Sequence, residues 1–134
     1  MKFGGLVHSA LLVFTLAFAP PRLEAHHSFS AIFDDRQELE VKGVLSRVDW
    51  VNPHVYYYVV VEGADGIQAT WAFESFPPAF LRTLNLSQKV LTDAVGKRVT
   101  VTYNPAQKKD QLLGYARVLD FEGGPKIIFT AKVG

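Results

Sequence analysis

Three histidines and one glutamate are the residues whose types and spacing could hold a metal ion in this chain. His26 and His27 are adjacent and follow an apolar segment, whereas His54 ends a short Asn-Pro-His turn. An amino-terminal histidine can bind a metal through its amine and its ring, and a distant histidine can add a third nitrogen. Such a nitrogen set suits copper, and imidazoles also suit zinc and nickel. We therefore predict a metal site formed by His26 and His54, with His27 and Glu74 assisting.

The carboxylates have several possible roles. Glu74 ends the third predicted strand, where it could bind the metal directly, orient an imidazole, cap the following helix or simply lie exposed. Asp49, next to Trp50, has a weaker claim of the same kind. Asp34 and Asp35 form a turn-like pair, which we expect to be a solvated bend.

The amino terminus is predicted to be an export signal. Lys2 supplies a positive charge, and the sequence LLVFTLAFA at residues 11–19 supplies a short apolar core. Cleavage after Ala25 would make His26 the first residue, which the chelating amine requires.

The predicted boundaries follow from that cleavage. We expect residues 1–25 to be a signal peptide and residues 26–134 to be a single domain, so that the protein is periplasmic or secreted. An uncleaved membrane anchor is the alternative, but the apolar run is short for a span of about 20 residues. No stable membrane span is expected after cleavage.

The composition excludes several classes of protein. The chain has 14 basic and 13 acidic residues, and removing Lys2, Arg22 and Glu24 with the signal leaves 12 of each. Binding to nucleic acid through its phosphates needs a clustered basic surface, so we expect no nucleic-acid partner. The chain has no cysteine, which excludes disulfides, thiolate metal sites and a cysteine nucleophile.

Strand patterns dominate the chain after residue 38. β-Branched and aromatic runs separated by turn residues predict strands at 39–50, 54–63, 67–74, 97–104, 112–121 and 126–130. A helix is predicted between the third and fourth strands, in SFPPAFLRTLNL at residues 75–86, where two prolines suit a first turn and Asn85 suits a left-handed cap.

The order of these elements predicts the fold. Three strands, a helix and two further strands are typical of a small oligonucleotide/oligosaccharide-binding (OB) barrel. The apolar alternation slips at Gly43, which predicts a bulge or sharp bend of the kind that barrel closure needs. We therefore predict a mainly β protein with a small OB-like, partly open barrel of five to six strands and one helix between strands 3 and 4. A β-sandwich is the alternative.

The predicted metal site also requires a particular path of the chain before the first strand. For His26 to approach His54, residues 26–38 must run back along the barrel, with Phe29, Ile32 and Phe33 buried.

A second group of residues could line a ligand face. Tyr56 and Tyr58 point to the side opposite Tyr57, so they form either a ligand face or the wall of the barrel. Trp50 ends the first predicted strand and Asn52 lies in the turn that follows, on the rim where such barrels commonly bind ligands.

The chain resembles a family of small exported bacterial proteins that carry a domain of unknown function. The resemblance lies in AHHSF at residues 25–29, GVLSRVDWVNPH at residues 43–54 and WAFE at residues 71–74. Many members have Gly-Trp after the helix, where this chain has Asn85-Leu86. The family implies export and a shared domain type, and it brings no established activity.

The leading hypothesis is a small periplasmic binding protein that takes up a transition metal, with copper favoured over zinc or nickel. The amino-terminal histidine is similar to the chelating end of periplasmic copper carriers and lytic polysaccharide monooxygenases. Two alternatives remain open: a metal-free module that binds a small ligand or a protein, and a copper-dependent oxidative enzyme. No feature of the sequence identifies a protein partner.

Overall fold

The computed structural model describes Met1 and residues 25–129, so residues 2–24 of the predicted signal peptide lie outside the described residues. The elements, in chain order, are α1 (Ala25–Ile32), β1 (Leu39–Asp49), β2 (Tyr56–Glu62), β3 (Gln68–Glu74), α2 (Pro78–Thr83), α3 (Gln88–Thr92), β4 (Arg98–Pro105), β5 (Leu113–Phe121) and β6 (Lys126–Ile128).

The strands form one sheet that closes on itself. Neighbouring strands pair antiparallel in the order β3-β2-β1-β4-β5-β6, and β3 also pairs with β5 in parallel. This parallel contact closes β1 to β5 into a barrel, and β6 is an extra strand that extends from β5. The predicted OB-like barrel is confirmed.

Strand β1 is shared between two partners, and a glycine lies where it passes from one to the other. Gly43 still pairs with β4, and the next residue pairs with both β4 and β2. A Cβ at Gly43 would overlap the carbonyl oxygen of Val60 and lie 2.7 Å from Val59 Cγ1. The register irregularity itself falls between Leu45 and Arg47, so the bulge predicted at Gly43 lies slightly later. The absence of a side chain at Gly43 therefore allows the backbones of β1 and β2 to approach each other closely.

The interior of the barrel is apolar. The fully buried residues include Leu45, Tyr57, Val59, Phe73, Val101 and Leu119. The hydroxyl of Tyr57 accepts a hydrogen bond from Ser75 Oγ at 3.1 Å, and Ser75 is itself fully buried. This bond satisfies the polar groups that the core encloses.

The single helical signal between β3 and β4 corresponds to two short helices. Asn85 ends the first with φ at 59°, as its predicted left-handed cap requires. Ser87 then caps α3, because its side chain accepts a hydrogen bond from the Val90 backbone N–H at 3.2 Å. Across residues 25–129, no helix is both long and apolar enough to cross a membrane.

The segment after the predicted cleavage site is helical at its start. Phe33 directly follows α1, and its backbone N–H donates to Phe29 O at 2.8 Å, so that the two rings lie 5.3 Å apart between centroids. Phe33 is buried and Phe29 half-buried, but Ile32 is 47% exposed. The predicted burial is therefore confirmed for Phe33 and wrong for Ile32, which the helical period turns towards solvent.

The bend after α1 is more enclosed than predicted. Asp34 is buried, and its carboxylate accepts hydrogen bonds from Arg36 N and Nε at 3.1 Å and from Gln37 Nε2 at 2.6 Å. The bond from the Arg36 side chain is the main reason that the pKa of Asp34 lies below its usual value. The prediction of a solvated bend is therefore wrong for Asp34, whereas Asp35 is exposed.

Gly43→Ala tests the close approach in β1. The new methyl group would force the backbones of β1 and β2 apart, so we expect the free energy of unfolding to fall by about 3 kcal/mol. Gly123→Ala is the control, since its Cβ would meet nothing within 4 Å and it should cost only about 1 kcal/mol for its left-handed φ. Urea unfolding measures both, and equal losses would contradict the role given to Gly43.

Candidate functional site

One predicted pair of site residues meets on the outer surface of the barrel. Tyr56 is the first residue of β2 and Glu74 the last of β3, and the two are directly opposite in the antiparallel register. His54 precedes β2 by two residues, at the end of the Asn-Pro-His turn, whose Asn52–Pro53 peptide bond is cis. The β2–β3 register therefore brings the turn histidine to the carboxylate.

Glu74 receives one hydrogen bond on each of its oxygens. His54 donates from Nδ1 to Oε1, and the Tyr56 hydroxyl donates to Oε2 at 3.0 Å. The side chain of Glu74 is 13% exposed and that of His54 is 40% exposed. Nε2 is then the ring atom that His54 can offer to a metal, and a carboxylate on the other nitrogen is how proteins commonly orient such a ligand.

Helix α1 packs beside this pair through two aromatic rings. Tyr115 is the register partner of Glu74 in the parallel β3–β5 pairing, and Phe29 lies edge-on to the Tyr115 ring at 4.9 Å between centroids. In the backbone of α1, His26 lies three residues before Phe29, which is about 5 Å along the helix axis. The side chains of His26 and His27 lie outside the described residues.

Burial and the Glu74 carboxylate together determine the pKa values of the two phenols in the site. Burial, the charge of Glu74 and the hydrogen bond to it raise the pKa of Tyr56 to about 12. Burial and, to a lesser degree, Glu74 also raise the pKa of Tyr115. Because the pKa of Tyr56 is raised in the folded protein, its stabilising contribution is present below pH 10 and is lost as the pH rises through about 12. Both phenols therefore stay neutral at physiological pH, and the acidic group of the site is the Glu74 carboxylate, a type of group that favours a cation.

The described side chains do not by themselves complete a metal site. Within that part of the chain, no three His, Asp or Glu side chains converge on one point. His54 and Glu74 form a pair that needs a further ligand, and the predicted one, His26, has a side chain outside the described residues.

Tyr58 and Asp49 belong to a neighbouring cluster on the outer surface. The Arg47 guanidinium lies over the Tyr58 ring, 3.9 Å from its centroid, and Arg47 Nε pairs with Asp49 Oδ1 at 3.1 Å. The ring of Tyr58 is therefore covered on one face by a cation. This arrangement favours a place in the wall of the barrel over an open ligand face.

The remaining candidates for the ligand face lie apart from Glu74. Trp50 is half-buried, packs against the core and has the Arg82 guanidinium 5.8 Å from its ring centroid. Asn52 is exposed in the turn. Of the four predicted ligand-face residues, only Tyr56 contacts the Glu74 carboxylate.

Tyr115 is the residue of this site that the sequence did not predict. It is one of five tyrosines and lies in a predicted strand with no motif around it. Its position beside Glu74 depends on the β3–β5 pairing, which joins residues 41 positions apart in the chain.

Glu74→Gln tests the electrostatics by removing the charge while keeping the shape of the side chain. We expect the pKa of Tyr56 to fall from about 12 towards, but not to, its ordinary value of 10.0, because burial remains. The absorbance change of phenolate formation measures it, and Tyr56→Phe identifies the titration. Asp49→Asn is the control, since Asp49 is also opposite Tyr56 and should leave its pKa unchanged. An unchanged pKa in Glu74→Gln would contradict the contact.

Comparison with known proteins places the chain in a family. A family model matches residues 15–114, a region that includes the Ala-His-His-Ser-Phe segment, the Asn-Pro-His turn and Glu74. No curated protein and no solved structure matches the chain. The match covers most of the chain and confirms the resemblance to a family of unknown function. The chain belongs to DUF6152, a family of unknown function.

Proposed function

We propose that this protein is an exported binding protein for a transition metal, with copper as the preferred ion. His26 would bind through its amine and ring, His54 would bind through Nε2, and His27 would assist. The observation that carries the proposal is the contact between His54 Nδ1 and the Glu74 carboxylate.

Glu74 acts here as a positioning residue. Both of its oxygens already accept hydrogen bonds, from His54 and from Tyr56. The carboxylate fixes the orientation of the imidazole, leaves Nε2 as the nitrogen that can bind a metal and supplies a compensating negative charge. This role is one of the four that the sequence left open for Glu74.

The packing of α1 supports the contribution of His26. The end of the helix is tied to the barrel, because Gln107 donates from its backbone to Ile32 O at 2.8 Å and from Nε2 to Ser30 O at 3.0 Å. The ring of Phe29 lies on Tyr115, next to Glu74. The turn that carries His26 is thus held on the side of the barrel where Glu74 lies.

The choice of metal follows from the available donors. The chain has no cysteine and a single methionine, at position 1, so soft sulfur ligands for Cu(I) are scarce. Nitrogen donors suit Cu(II), which binds such sites more tightly than Zn(II) or Ni(II). We therefore propose Cu(II) as the ion bound, in a periplasmic or secreted protein that begins at His26.

Titration with Cu(II) tests the ligand set. We expect His54→Ala and His26→Ala each to weaken binding by at least about tenfold, and Glu74→Gln to weaken it by about tenfold to a hundredfold through loss of orientation. Tyr58→Phe is the control that should bind as the wild type does. If wild type binds no tighter than His54→Ala, the metal site is ruled out and the metal-free module becomes the better account.

The amino terminus of the exported protein tests the chelating amine. Intact-mass analysis is expected to show a chain that begins at His26, and a retained leader would rule out amine ligation. A form with one methionine before His26 should lose affinity for Cu(II) as His26→Ala does. Consumption of oxygen and a reductant by the copper-loaded protein would instead favour the oxidative enzyme.

A further inference from the structure

A cavity of about 270 Å³ lies at one mouth of the barrel, on the side where β1 begins and β4 ends. Its apolar wall is formed by Leu39, Trp71, Tyr103 and Leu113, and the β4–β5 loop at residues 106–112 borders it. Neither His54 nor Glu74 contributes to its lining.

The wall of the cavity is an aromatic surface with an exposed part. Trp71 stacks on Phe73 at 6.0 Å and meets the edge of Tyr103 at 5.6 Å between ring centroids. Phe73 and Tyr103 are buried, but Trp71 is only half-buried. A Cβ at Gly114 would overlap Tyr103 and lie 3.2 Å from Phe73 Cδ1. Because Gly114 has no side chain, the rings of Tyr103 and Phe73 can pack closely against it. Trp71 packs on both rings and presents apolar surface to the cavity.

The rim of the cavity carries a net positive charge. Lys108 and Lys109 lie in the bordering loop and are exposed. Among the described residues, the one acidic side chain in the lining is that of Asp34, whose carboxylate is already held by hydrogen bonds from Arg36 and Gln37. Among the charged side chains that line the cavity, the two lysines thus outnumber the single carboxylate, which favours an anion over a cation.

The volume sets the size of that anion. An apolar cavity of about 150 Å³ holds a benzene molecule, so 270 Å³ accommodates one aromatic ring with a short side chain. We infer that the mouth of the barrel binds a small aromatic carboxylate, with its ring against Trp71 and its carboxylate at Lys108 and Lys109. Because side chains alternate along a strand, Trp71 faces the interior while Glu74 faces outward. The proposed binding site for the aromatic carboxylate is therefore separate from the proposed metal site.

Three ligands with the same ring and different charge test this inference on the purified protein. Phenylacetate, phenylacetamide and 2-phenylethylamine are titrated by tryptophan fluorescence and protein-observed NMR. We expect phenylacetate to bind about tenfold more tightly than the amide, as two exposed charge contacts allow, and the amine to bind most weakly. Shifts are expected at Trp71 and Leu113 and not at His54.

Variants separate the two parts of the site. Trp71→Leu should abolish binding, and a Lys108→Gln/Lys109→Gln double variant should bind phenylacetate no better than the amide. Lys42→Gln/Lys97→Gln is the matched control and should keep the preference. Equal affinity for the three ligands, no saturable binding at millimolar concentrations, or a preference that survives in Lys108→Gln/Lys109→Gln would overturn the inference. None of these outcomes affects the Cu(II) titration, which tests the proposed metal site independently.

Discussion

The parallel pairing between β3 and β5 is the constraint on which the rest of the structure depends. It consists of three register pairs, from Ala72 opposite Leu113 to Glu74 opposite Tyr115, and is extended by a hydrogen bond from Ala72 N to Leu112 O at 2.9 Å. Without this contact the five strands would remain an open sheet with two exposed edges. With it, residues that are distant in the sequence lie side by side on the outer and the inner surface of the wall formed by β3 and β5.

The same pairing positions both candidate sites because side chains alternate along each strand. On the outside, Glu74 lies beside Tyr115, so that one carboxylate is near His54, Tyr56 and the helix that packs on Tyr115. On the inside, Phe73 lies beside Gly114, and the missing side chain there lets Tyr103 approach. The outer surface therefore gathers polar groups that suit a cation, and the inner mouth gathers aromatic rings under a basic rim.

Local patterns were sufficient to predict the barrel and insufficient to predict what lies against it. Alternation in β2 placed Tyr56 and Tyr58 on the side opposite Tyr57, and Asn85 marked the end of α2. Helix α1 was missed because the sequence AHHSFSAI has neither an acidic first turn nor a basic last turn. Its stability comes from tertiary contacts, with Phe29 and Phe33 on Tyr115, which no local signal reveals.

The site was predictable in its parts and not in its geometry. Histidine and glutamate are natural metal-site residues, so His54 and Glu74 could be chosen from the sequence. The carboxylate's role as partner of Nδ1 depends on the β2–β3 register, which sets Tyr56 opposite Glu74. Asp34 was misjudged for a related reason, because Arg36 and Gln37 fold back to enclose it. The aromatic cavity joins Trp71 on β3 to Tyr103 on β4, and no local pattern indicates that these two rings meet.

The most direct measurement of the central claim is the position of a bound copper ion. Crystals of the mature protein, beginning at His26, are exposed to Cu(II), and the ion is located by its anomalous scattering. Our account predicts one copper ion bound by the amine and ring of His26 and by Nε2 of His54, with Glu74 still on Nδ1 of that ring. Copper bound elsewhere, or a His54 ring with Nε2 free of metal, would contradict it.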